Sequence, residues 1–152
     1  MALTKVQTEM AGTGSILQVV NAIYATGTST TSTTLADTGL TASITPKFST
    51  SKILVMIHQN GGVKTANNGN TSIQLHAFRN STDIGSISER AGLTTSSMDL
   101  YGFTLSTCLL DSPATTSSVT YKTQYASFVS GQTIYLQLVG CVSTITLMEI
   151  AG

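Results

Sequence analysis

Residues 143–152 read STITLMEIAG, and Ile145–Ile150 within them are among the most apolar residues of the chain. A bilayer span takes about 20 apolar residues, so this segment does not cross a membrane, and it lacks the spacer and tail of a lipid-anchor signal. As a strand it places Ile145 and Leu147 on one face and Met148 and Ile150 on the other. A strand apolar on both sides is one covered twice, by its own core and by a neighbour. Glu149 falls on the Ile145 and Leu147 face, where a carboxylate needs either a bulge to re-aim it or a partner such as Lys52 or Lys122.

Working outward, the whole chain is built of material that suits pleated sheets. Only 9% of its 152 residues are charged and the formal net charge is zero, against about 25% charged in an average domain. Ser and Thr make up nearly a third of the chain, and threonine's branched Cβ packs on a half-exposed sheet while its hydroxyl meets water. The length fits one domain. Low charge and zero net charge favour association between copies. The seven basic residues, Lys5, Lys47, Lys52, Lys64, Arg79, Arg90 and Lys122, are scattered singly, so nucleic acid is not an expected partner. No membrane segment is expected, and residues 1–14 do not read as a secretion signal.

Short strands recur along the chain at sandwich-like spacing. The first apolar run is SILQVVNAIY (15–24); a Thr-rich stretch then leads into GLTASITP, which Pro46 ends. KILVMIHQN (52–60) is nearly continuous in apolar residues and reads as a strand covered on both faces, broken by Asn60-Gly61-Gly62. TSIQLHAFRN and SSVTYKTQYASFV alternate. SGQ (130–132) reads as a hairpin turn into TIYLQLVG, with Ile134, Leu136 and Leu138 inward. Eight or nine strands and no helix favour an all-β, antiparallel β-sandwich over residues 15–152, preceded by an arm at 1–14.

Catalytic chemistry is not expected. His58 and His76 could be drawn into a triad with any of dozens of hydroxyls, but abundance is not a pattern, and no GxSxG or metal-ligand spacing occurs. Asp99 and Asp111 bracket one strand and read as strand-end residues. Cys108 and Cys141 read as two buried free thiols, with a disulfide between them as the alternative. No cofactor is expected.

One set of segments, taken in order, resembles a family of short virion proteins of marine and freshwater phages. It comprises Thr38-Gly39-Leu40, Ile44-Thr45-Pro46, Ser51-Lys52-Ile53-Leu54-Val55, Leu110-Asp111-Ser112-Pro113-Ala114-Thr115-Thr116, Tyr121-Lys122-Thr123-Gln124-Tyr125 and Ser143–Ile150. The opening MALTKVQTEMAGTGSILQVV belongs to the same likeness. The resemblance implies a jelly-roll-like sandwich, a homotrimer, placed in the virion either as a capsid decoration (cement) protein bound to the major capsid protein or as a tail-fibre module binding host glycan. It implies that the first and last strands pair beside the threefold axis. On that reading Tyr121, Tyr125, Tyr135, Leu147, Met148 and Ile150 are candidates for the trimer interface, the tyrosines filling the core or the subunit contact rather than stacking on sugars. Leu3, Val6, Met10, Ile16 and Leu17 are candidates for an arm that attaches to the capsid.

Overall fold

Alternating β-branched and hydroxyl residues fold here, among the described residues, as ten strands. The structure, a computed structural model, describes residues 12–65 and 68–152. The strands are β1 (Ile16–Tyr24), β2 (Thr28–Thr30), β3 (Ala36–Ile44), β4 (Lys52–Lys64), β5 (Ile73–Arg79), β6 (Thr82–Ala91), β7 (Leu100–Asp111), β8 (Val119–Ser127), β9 (Ile134–Leu136) and β10 (Ser143–Ile150). They form two antiparallel sheets. The first runs β1-β10-β4-β9-β2, with β7 on the other side of β4; the second runs β3-β8-β5-β6.

With the three-residue β2 and β9 set aside, the long strands pair as β1 with β10, β3 with β8, β4 with β7, and β5 with β6. This is one antiparallel ribbon rolled into two sheets, the jelly-roll connectivity. The all-β sandwich read from the sequence is therefore present. β10 lies between β1 and β4, whereas β1 is the edge of its sheet.

The core lies between the sheets. Leu40, Ile44, Ile53, Val55, Ile57, Val119, Tyr121, Ile145 and Leu147 form its larger part; Ile73, Leu75, Tyr125, Ile134 and Leu136 form a second cluster. Both sheets contribute every second residue, as a pleated strand dictates.

Several local expectations are corrected. Within one chain β4 is covered on one face only: Ile53, Val55 and Ile57 are fully buried, while Leu54 and Met56 on the other face are half-buried and His58 is exposed. Nor does Asn60-Gly61-Gly62 end the strand, which continues to Lys64 through a register irregularity. The glycines are what permit it. A Cβ on Gly61 would lie 2.7 Å from the Leu138 nitrogen, and one on Gly62 would lie 2.6 Å from the Phe103 ring. SGQ is not a hairpin turn, because β8 and β9 belong to opposite sheets. β9 ends at Leu136, where Gln137 turns left-handed. Cys108 is exposed and Cys141 half-buried, both as free thiols.

Glu149 is fully buried on the inner face, as its alternation requires. Its partner is neither Lys52 nor Lys122. The Gln18 amide donates to it at 2.6 Å and the Lys47 backbone N–H at 2.7 Å. β1 shifts register at Leu17, which sets Gln18 opposite Glu149. Burial opposes ionisation, but these donors, with the Phe48 N–H, outweigh it and hold the carboxyl below the usual range.

Candidate interaction surface

The two sheets turn opposite kinds of surface to the outside. In an antiparallel pair, residues directly opposite share a face, so the registers read out each outer surface row by row. On the second sheet, one row is Asp37, Gln124, His76 and Ser86, and the next is Thr41, Lys122, Phe78 and Asp83. Lys122 pairs with Asp37 at 2.8 Å, and Gln124 donates to the same carboxylate at 2.7 Å. Partial burial resists ionisation of Asp37, but Lys122 and Gln124 prevail and lower its pKa. His76 stands between Asp83 at 2.8 Å and Glu89 at 3.3 Å. Hydrogen bonds from Ser86 and Gln74, with His76 nearby, hold the Glu89 carboxyl low. This face is an ordinary solvated one.

The outer face of the first sheet is different. One row across four strands is Val19, Met148, Leu54 and Leu110; its neighbour is Asn21, Thr146, Met56 and Cys108; the next is Ile23, Thr144, His58 and Ser106. Ile16, Ile150 and Lys52 border them. Val19 is 54% exposed, Leu110 53% and Ile23 67%. Lys52 is the one side chain with a permanent charge in these rows. Strand spacing and rise make the whole face roughly 500 Å², of which the apolar side chains supply only part. The face is mixed: the Val19, Met148, Leu54 and Leu110 row is wholly apolar, while Asn21, Thr146, Thr144, His58 and Ser106 make the next two rows partly polar. The apolar row is the part fitted to be covered by protein.

The proposed interface residues divide accordingly. Met148 and Ile150 lie half-buried on this outer face. Leu147, Tyr121 and Tyr125 do not: they are at most 3% exposed within one chain, so no side-chain surface remains for a neighbour. Tyr121 instead ties the sheets together. Its hydroxyl donates to Asp111 at 2.7 Å, and Asp111 takes Arg79 at 2.9 Å. Burial, then the Asp111 carboxylate, pushes the Tyr121 phenol well above its usual pKa. Burial also raises Tyr125. Tyr135 is half-buried on β9, opposite Ser29. Of the arm candidates, Leu3, Val6 and Met10 lie outside the described residues. Ile16 and Leu17 belong to β1 and not to an arm, and even Gly14 is fixed, its N–H donating to the Ala151 carbonyl at 2.8 Å.

Two features escaped the sequence reading. A buried polar network crosses the sandwich through Thr38, Thr123, Gln59, Ser143 and Gln137, all fully buried. Lys64 is also fully buried, its ammonium donating to the Gly69 carbonyl at 3.0 Å and to the Thr94 hydroxyl; burial lowers its pKa. Gln59 shares the alternation phase of Ile53, Val55 and Ile57, but nothing local in the sequence names the partners that satisfy Gln59, Gln137 or Lys64.

Compared with protein-family models and with curated proteins, the chain matches none. Among the described residues, no group of three or more His, Cys, Asp or Glu is placed to hold a metal ion.

Proposed function

We propose that the protein is a structural subunit of a tailed-phage virion, a homotrimer that decorates the capsid and braces the major capsid protein. The observation that carries self-association is the apolar outer face of the first sheet, set against a polar, ion-paired outer face on the second. Placement on the virion rests on the sequence resemblance, and the jelly-roll connectivity agrees with it. Bracing works by mass action: a trimer that binds only the assembled lattice stabilises that lattice. The reading gives His58 and His76 no catalytic role, and the protein is not an enzyme.

A second reading, a tail-fibre module that binds host glycan, draws on a shallow cavity of about 240 Å³ lined by Asp37, Gly39, Leu40, Thr41, Thr120 and Lys122. Carboxylate, ammonium and hydroxyls around such a hollow suit a hydroxyl-rich ligand. Antibody-gold labelling of intact virions separates the two. Gold over the head supports decoration, gold at the tail tip supports the fibre reading, and unlabelled particles contradict both.

A further inference from the structure

Asparagine stands directly before glycine twice in the chain, at Asn60-Gly61 and at Asn68-Gly69. Glycine has no Cβ to shield its backbone nitrogen from the asparagine side chain before it. The fold treats the two pairs differently.

Asn60 lies inside β4 with its side chain held from both ends. Its amide donates to the Val142 carbonyl, and its side-chain oxygen accepts the Thr104 hydroxyl at 2.8 Å. Tied to two other segments, it is kept from swinging onto the Gly61 nitrogen.

Asn68 opens a tight turn instead. The Asn70 N–H donates to its side-chain oxygen at 2.8 Å, and the Thr71 N–H donates to its main-chain carbonyl at 3.0 Å. The first bond folds the side-chain amide back over its own backbone. It also sits where an oxyanion develops when the Gly69 nitrogen adds to the amide carbon. The second bond favours the Asn68–Gly69 peptide group in its deprotonated, nucleophilic form. Asn68 is half-buried and Asn70 exposed, so water reaches the turn. The far side is fixed: the Gly69 carbonyl accepts the Lys64 ammonium at 3.0 Å and the Thr94 N–H at 3.1 Å. Lys64 is fully buried, its other hydrogen bond goes to the Thr94 hydroxyl, and among the described residues it has no acidic partner.

We propose that Asn68 is a self-modification site, at which the chain converts its own neutral amide into a carboxylate beside the buried Lys64 ammonium. Hydroxide takes the Gly69 amide proton, and the nitrogen attacks the Asn68 Cγ. The tetrahedral adduct expels the side-chain nitrogen, which takes up a proton and leaves as ammonia. Water then opens the five-membered imide at either carbonyl, giving an aspartyl or an isoaspartyl linkage. Water is the only co-reactant. Either product sets a negative charge near a cation that the unmodified fold buries without one.

The test incubates the full-length protein beside a synthetic peptide of residues 65–72 at mildly alkaline pH. Peptide mapping and isoaspartyl methyltransferase labelling follow the conversion. Asn68 in the folded protein should convert at least as fast as in the peptide, and Asn60 about tenfold more slowly than Asn68, or slower still. Conversion at Asn68 slower than in the peptide, or conversion at Asn60 within about tenfold of it, would overturn the assignment. Asn68→Asp installs the product's charge without the reaction. It should melt at a higher temperature than unconverted wild type at neutral pH, and an equal or lower melting temperature would overturn the pairing with Lys64.

Discussion

Thr123 of β8 and Gln59 of β4 meet across the middle of the sandwich, where the threonine hydroxyl donates to the glutamine carbonyl at 2.9 Å with both side chains fully buried. The bond is one link in a chain. Thr38 and Thr123 share a hydroxyl bond of 2.6 Å, and the Gln59 and Gln137 amides both donate to Ser143, at 3.3 and 3.2 Å. A satisfied buried network fixes one arrangement of the core, while a broken one leaves polar groups without water. Gln59→Ala leaves Thr123 short of an acceptor and should lower the unfolding free energy by about 2–4 kcal/mol. Urea denaturation measures it, and a loss under about 0.5 kcal/mol would contradict the network's role.

Glu149 sets an acid limit on stability. Its carboxyl has a lower pKa folded than unfolded, so the unfolded chain binds the proton more readily. Stability is therefore present above the unfolded value, about 4.3 for glutamate, and is lost as pH falls through the folded one. Thermal melts between neutral pH and about pH 3 should show a steep acid decline in the wild type and a shallower one in Glu149→Gln. Parallel curves would remove Glu149 from the acid response.

The Arg79–Asp111–Tyr121 cluster should limit stability at the alkaline end. The phenol is harder to ionise folded than unfolded, so above about pH 10 the unfolded state sheds its proton first and stability falls as pH rises. Tyr121→Phe should flatten that decline and lose about 1 kcal/mol at neutral pH. Asp111→Ala, which strands both Arg79 and Tyr121, should lose roughly 1–3 kcal/mol. Equal losses from the two substitutions would mean that Asp111 contributes nothing beyond the tyrosine bond.

The sequence resemblance implies that the N-terminal residues attach the protein to the capsid, and deletion separates that role from folding. Gly14 and Ser15 pair with Ala151, so the cut that spares the sheet removes residues 1–11. The shortened protein should keep its oligomeric state and lose co-sedimentation with capsids. Undiminished binding would move the attachment site onto the sandwich.

The fold was legible because alternation is a local signal. In β5 and β8 the alternation sets Ile73, Leu75 and Val119 apart from the polar face by spacing, whereas β10, apolar on both faces, did not reveal by spacing which face turns inward. β4 misled because its apolar outer residues, Leu54 and Met56, imitate a strand buried on both faces, and one chain supplies only one cover. The bonding of Gln59, Lys64 and Gln137 was illegible for the opposite reason: a buried polar group is defined by partners distant in sequence, as Gln59 is by Thr123 and Ser143. The tyrosines share that limit. Nothing local separates a tyrosine that bonds Asp111 inside the core from one that meets a neighbour.

The central claim is that copies of this chain associate through the outer face of the β1-β10-β4-β7 half of the first sheet. Removing β10 would be a poor test, since Ile145 and Leu147 are core residues and the sandwich would unfold. Leu54→Lys leaves the core untouched and places a charge in the middle of the apolar row. Sedimentation equilibrium of the wild type and this variant is the most direct measurement. The account expects a trimer for the wild type and a folded monomer for the variant, and a variant that remains a trimer would contradict it.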